Sequence, residues 1–124
     1  DFMTGVHFHD NLGLSFANCL SALGAGVDIV DSTVSGMGRG VGNLKTEQLI
    51  AYLDLKEKNI NFSILEMLGI TSKFNKIKEE YKWGWDIDYM ASGCLGIHQK
   101  NIISLREKNL KIDDIIASIV EEDE

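Results

Sequence analysis

Residues 27–34, Val27-Asp28-Ile29-Val30-Asp31-Ser32-Thr33-Val34, carry apolar side chains at both odd and even positions. A strand of that kind has to be covered on both faces, which is the demand of a parallel sheet sandwiched by helices. The preceding residues meet it. Gly5-Val6-His7-Phe8-His9 reads as a short strand with β-branched and aromatic content. Asn11 stands where an N-cap belongs, and Leu12, Phe16, Cys19, Leu20 and Leu23 recur at helical spacing before Gly24 and Gly26 stop the helix. A glycine loop from Gly36 to Asn43 follows the second strand, and Leu49, Ile50 and Leu53 then mark a helix with Thr46 as its cap. The predicted order is strand, helix, strand, loop, helix.

Past residue 43 the chemistry of the chain changes. Eight of the twelve glycines lie in residues 1–43, whereas residues 44–124 hold eleven of the twelve Lys and Arg and fifteen of the nineteen acids. A strand-and-loop half is therefore followed by a helical half. Ile60-Asn61-Phe62 is expected as a brief third strand. Ile64, Leu65 and Leu68, then Phe74, Ile77 and Tyr81, mark helical faces divided near Gly69 and Thr71. Lys73, Lys76, Lys78 and Lys82 alternate with Glu79 and Glu80 as the solvated side. A further helix is expected over Tyr89–Leu95, and a last one around Ile112, Ile115, Ile116 and Ile119 opens with Asp113 and Asp114, where the helix dipole favours anions. Glu121 to Glu124 reads as a solvated terminus.

A net charge of −7 repels phosphate backbones, so no nucleic-acid partner is expected. With 44% hydrophobic and 25% charged residues the chain is globular in composition. No apolar stretch is long enough to span a membrane, and no secretion signal opens the sequence. Cys19 and Cys94 are too few for a disulfide framework, which fits a reducing, cytoplasmic setting. The chain starts at Asp1 and not at a methionine, so further sequence is expected upstream.

His7 and His9 carry the chemistry. On a strand, residues i and i+2 share a face about 6–7 Å apart, so two imidazoles at that spacing can converge on one metal ion. The alternative is a pair of polar groups at a strand end. Asp10 and Asn11 follow at the strand's carboxyl end, and Asn43 closes a loop that leaves the carboxyl end of the next strand, so both groups open on one side of the sheet. The loop Gly36-Met37-Gly38-Arg39-Gly40-Val41-Gly42-Asn43 has no Gly-Lys-Ser/Thr and is no phosphate-binding P-loop. It is either a flexible connection or a turn that lets backbone approach a ligand and holds Asn43 toward a metal.

Three motifs in order now resemble a known family: His7-Phe8-His9-Asp10-Asn11-Leu12-Gly13, then Val30-Asp31-Ser32-Thr33, then Gly36 through Asn43. They look like the metal-dependent aldolase and acyl-lyase superfamily built on the TIM barrel (hydroxymethylglutaryl-CoA lyase-like). It includes 4-hydroxy-2-oxovalerate aldolase and the isopropylmalate, homocitrate and citramalate synthases. The close likeness covers residues 5–57 and a looser one reaches residue 110. It implies an α/β fold in which residues 1–62 are the C-terminal part of a (β/α)8 barrel, about strands six to eight, and residues 63–124 a helical extension.

The resemblance implies that His7, His9 and Asn43 ligate manganese or magnesium, with zinc the alternative, and that Asp10, Asn11 and Gly38 meet substrate. It implies an aspartate ligand on the first strand, upstream of Asp1. The lyase branch has a catalytic cysteine at the glycine loop, which is absent here, so hydroxymethylglutaryl-CoA lyase itself is disfavoured. Tyr89 matches the tyrosine acid of the aldolase branch; the alternative is a packed aromatic that anchors the extension with Trp83 and Trp85. Asp31 is expected as a buried hydrogen-bonding acid in the barrel core, and His98 as a surface or packing residue. The implied reaction is aldol cleavage of a 4-hydroxy-2-oxo acid to pyruvate and an aldehyde, by a homo-oligomer with a dehydrogenase as partner. A condensing acyl-CoA synthase and a non-catalytic barrel fragment are the rivals.

Overall fold

The structure is a computed structural model that describes residues 2–57 and 61–111, with 113, 114, 116 and 117. Strands β1 (Gly5–Val6) and β2 (Ile29–Val30) run parallel, Gly5 opposite Ile29 and Val6 opposite Val30, joined by helix α1 (Ser15–Gly24). The predicted β-α-β unit is present, with far shorter strands. Their brevity has a local cause. Beyond the second rung the two chains part, and the backbone of fully buried Leu44 enters between them. It gives its N–H to Phe8 (3.1 Å) and takes the N–H of Thr33 (2.9 Å). Val34–Gly36 leaves the predicted strand as a 3-10 turn, with Ser35 at φ +55°. Ile29 is 47% exposed, so the double-sided burial expected of this strand is not completed among the described residues.

Helix α1 begins three residues later than its apolar spacing suggests. The N–H of Gly13 turns back onto the Asp10 carbonyl (3.0 Å), and the Asp10 carboxylate, not Asn11, accepts the Ser15 N–H (3.0 Å). Leu12 therefore precedes the helix and is half exposed. Helix α2 (Thr46–Glu57) starts at Thr46 itself, whose hydroxyl donates to Ser32 Oγ (2.9 Å) instead of capping the helix.

Asn61 and Phe62 form no strand, and Ile60 lies outside the described residues. They lead into α3 (Ile64–Tyr81), a single helix where two faces were expected. Ser63 caps it by accepting the Glu66 N–H (3.3 Å), the geometry of a Ser-x-x-Glu start. Gly69 and Thr71 sit inside it, the Thr71 hydroxyl bonding back to Met67 (2.9 Å). One glycine costs a helix interior only about 1 kcal/mol. The lysines and glutamates of its second half are exposed except Lys78, which is half-buried.

Two compact units divide the chain, one up to Trp85 and one from Asp86. The first buries Cys19, Val41, Leu44, Ile50, Met67 and Trp83, at about 1.5–3 kcal/mol for each large aliphatic or aromatic side chain. Trp85 is 57% exposed. The second unit holds α4 (Ile87–Cys94) and α5 (Gln99–Glu107), with Tyr89, Ser92, Gln99 and Ile102 buried. Helix α5 was not foreseen. His98, an exposed residue, starts it by accepting the Lys100 N–H at Nδ1 (3.1 Å). Of the last expected helix, Ile112, Ile115 and Ile119 lie outside the described residues, as do Glu121–Glu124; the Asp114 carboxylate accepts the Lys111 N–H (2.8 Å). No helix among the described residues is long and apolar enough to cross a membrane.

Candidate metal centre

His7 and His9 follow directly on β1, and their rings meet edge to face with centroids 5.0 Å apart. The i, i+2 spacing thus brings the imidazoles together although regular pairing has ended at Val6. His9 stands opposite Asn43 in an antiparallel bridge. The flanking bonds, Leu44 N–H to Phe8 and Asp10 N–H to Gly42 (3.3 Å), make this a non-hydrogen-bonded pair. Such pairs bring opposing Cα atoms to about 4.5 Å, the closest approach of side chains in a sheet. The ends of two segments, 33 residues apart at His9 and Gly42, therefore present His9 and Asn43 side by side.

Each ring has its Nδ1 occupied. His7 Nδ1 donates to Asp31 Oδ2 (3.3 Å), and His9 Nδ1 donates to the Gly42 carbonyl (3.4 Å). Carboxylate and carbonyl only accept, so each contact selects the tautomer whose Nε2 lone pair is free, the arrangement usual behind metal-ligating histidines. Asp31 is 66% exposed at its side chain among the described residues.

Asn43 is the third residue that the resemblance points to. Its Nδ2 donates to the Met37 carbonyl (3.1 Å), while its Oδ1 is buried without any partner. A buried acceptor left unpaired is costly and calls for a partner, a condition it shares among the described residues with Thr33 Oγ1 and Gln99 Oε1. Gly38 makes the seat: a Cβ there would fall 2.6 Å from Asn43 Nδ2. Gly42, at φ +80°, would place a Cβ 2.3 Å from the Gly36 carbonyl oxygen, so no side chain fits there either.

Two imidazoles and an amide oxygen fit a divalent ion, but they form a neutral set. Among the described residues no three His, Cys, Asp or Glu side chains converge on one point. Hard cations such as Mn²⁺ and Mg²⁺ favour anionic oxygen, and no carboxylate of this group completes the set. Asp10 spends one carboxylate oxygen on capping α1. Burial pushes the Cys19 thiol up, away from nucleophilic reactivity.

Tyr89 lies in the second unit. Arg106 stacks over its ring at 4.8 Å and bonds Asp86 and Asp88, the latter through Nε at 2.7 Å. Burial raises the phenol above its ordinary value and both aspartates add to this, while the Arg106 charge opposes them. Burial alone would raise Asp86, but the Arg106 hydrogen bond, the Asp88 N–H and the guanidinium charge outweigh it and hold that carboxyl below its ordinary range.

Sequence reasoning missed two residues that hold the glycine loop. Trp83 donates its indole N–H to the Ser35 carbonyl (2.9 Å), and Glu47 accepts the Ser35 N–H (3.0 Å). The available signal was the Lys-Trp-Gly-Trp segment directly after a helical face.

A family model described as HMGL-like matches residues 1–73. The 4-hydroxy-2-oxovalerate aldolase of Thermus thermophilus is 33% identical over 113 residues, covering 90% of this chain and 33% of that protein. The enzyme of the same name from Roseiflexus sp. is 44% identical over 102 residues, 82% of this chain and 30% of its own. The chain thus spans about a third of the length of these relatives. A crystal structure described as the N-terminal domain of a candidate aldolase from Bacteroides vulgatus covers 95% of this chain and 38% of its own, with a TM-score of 0.81 at 36% identity.

Proposed function

Since this chain belongs to the HMGL-like family, we propose that it supplies the histidine pair and the asparagine of a divalent-metal aldolase. The reaction we assign is cleavage of a 4-hydroxy-2-oxo acid to pyruvate and an aldehyde. The single observation that carries the reading is the buried, unpartnered Oδ1 of Asn43 next to the paired His9. The names of the relatives support the substrate class. In this reading residues 5–44 form the carboxyl ends of the sixth and seventh strands of a (β/α)8 barrel, the side on which such barrels keep their sites. The helices from α3 onward form the extension.

Bound manganese or magnesium, or zinc in their place, supplies a Lewis acid for the carbonyl of the oxo acid. His7 and His9 bind through Nε2, oriented by Asp31 and by the Gly42 carbonyl. The second oxygen of Asp10, the Asn11 amide and the bare backbone at Gly38 contact substrate. Tyr89 is the acid in this reading: its phenol, protonated at neutral pH like any tyrosine, returns a proton to the enolate carbon of pyruvate. The proton of the 4-hydroxyl leaves to a base outside these residues. A carboxylate from outside these residues completes the ligand set, so we place the activity in the whole protein, a homo-oligomer that hands its aldehyde to a dehydrogenase. The isolated chain is inactive.

The test is product analysis on the protein with its native upstream sequence. With Mn²⁺ and 4-hydroxy-2-oxovalerate the parent should release pyruvate. The His7→Ala/His9→Ala variant should release none while its circular dichroism is unchanged. Release of free CoA from an acyl-CoA and a 2-oxo acid, with no pyruvate formed, would replace this reading by the condensing synthase.

A further inference from the structure

The loop that carries Asn43 is held only in part by its own hydrogen bonds. Four of the eight residues from Gly36 to Asn43 are glycine, and each raises the entropy lost when the loop is fixed. Within it Asn43 gives its N–H to the Gly36 carbonyl (3.0 Å) and Gly42 to that of Arg39 (3.3 Å), and further holds come from outside. Trp83, just past the end of α3 and 6% exposed, gives its indole N–H to the Ser35 carbonyl across 48 residues of sequence. The next residue, Gly84, gives its N–H to the Gly40 carbonyl (2.9 Å). The indole edge also closes on the loop, since a Cβ at Gly42 would lie 3.3 Å from Trp83 Cδ1.

Ser35 is where the grip is applied. It is a non-glycine residue in the left-handed region, a conformation that persists only where neighbours enforce it. Its carbonyl is taken by Trp83 and its N–H by Glu47. Gly36 then accepts the Asn43 N–H (3.0 Å), and Gly38 seats the Asn43 amide. A phenyl ring is smaller than the indole and carries no donor. The indole adds one donor, and that donor is spent on the loop.

We propose that Trp83 is a positioning residue for Asn43, setting the amide oxygen through Ser35 from the end of α3; the inference rests on the metal reading above. Trp83→Phe keeps an aromatic ring at the site and removes the N–H together with the five-membered part of the indole. In the complete protein it should weaken Mn²⁺ binding, read by electron paramagnetic resonance of the free ion, by about tenfold, the lower end of outer-shell effects at metal sites. Asn43→Ala should weaken it at least as much. The double variant should bind no more weakly than Asn43→Ala alone, because a residue that acts only through Asn43 has nothing left to act on. Glu47→Ala, which cuts the other hold on Ser35 outside the core, should show the same non-additivity.

An additive double variant, or a Trp83→Phe affinity within twofold of the parent, overturns the positioning role while His7→Ala still abolishes binding. Mn²⁺ affinity untouched by His7→Ala overturns the metal reading and the positioning role with it.

Discussion

The first unit, up to Trp85, and the second, from Asp86, each gather charged and aromatic side chains, and they differ in how much bonding capacity they leave unused. In the second, Arg106 lies over Tyr89 and bonds both Asp86 and Asp88, so its charge is answered on two sides. In the first, His7 and Asp31 share one long contact and are otherwise open, with 47% and 66% of their side chains exposed. The Oδ1 of Asn43 is buried and has no partner. A cluster that serves the fold uses up its hydrogen bonds within the chain. One that serves a ligand keeps some back. Gln99 Oε1 in the second unit is also buried without a partner, so it is the open His7–Asp31 contact beside Asn43 that sets the first unit apart.

Tyr89→Phe tests that division most severely. If the phenol is the acid, turnover falls about 100-fold, as for general acids elsewhere, and the second unit carries chemistry as well as structure. Turnover within about twofold would return Tyr89 to a packing role and leave the contrast intact.

Arg106→Ala is expected to cost the second unit about 1–2 kcal/mol, between the values for exposed and buried ion pairs, with Mn²⁺ affinity unchanged. The pH dependence has a definite sign. The folded Asp86 carboxyl sits below its ordinary range, so its contribution is complete above about pH 4 and is lost as pH falls through that range. Thermal melts between neutral pH and about pH 3 should show this loss in the parent and little of it in Arg106→Ala.

Gly38→Ala sharpens the comparison from the other side. A Cβ 2.6 Å from the Asn43 amide nitrogen must push the amide off its seat. Metal affinity, by calorimetry, should fall several-fold to about tenfold, with a melting temperature close to that of the parent. A large loss of stability with unchanged affinity would make the seat a structural feature.

The histidine pair was legible because period-two geometry is local and holds even where pairing stops, as it does after Val6. Asn43 was legible only as the end of a glycine run; that its amide oxygen is left unpaired follows from Gly38 and Met37, which no spacing reveals. The shortness of the strands was hidden because Leu44 enters between them from 36 residues beyond Phe8. The Trp83 contact spans 48 residues and was hidden for the same reason. The break at Gly69 was a misjudged magnitude: Ser63 and Glu66 start α3 firmly, and one glycine does not end it. Asp10 displaced Asn11 as the cap because Gly13, at φ +70°, delays the first turn.

Thr4 donates its N–H (2.8 Å) and its hydroxyl (3.2 Å) to Asp28 Oδ2 at one end of the sheet, and His7 meets Asp31 at the other. Every pair from Thr4–Asp28 to His7–Asp31 is offset by the same 24 residues. A slip of one residue would break both polar contacts at once and turn each side chain of the slipped strand to the opposite face. Two rungs of Gly, Val and Ile carry too little pattern to forbid that slip. Register in this sheet is therefore written by two carboxylates at its ends, and the one that aligns β1 with β2 beyond the last rung is the same Asp31 that turns His7.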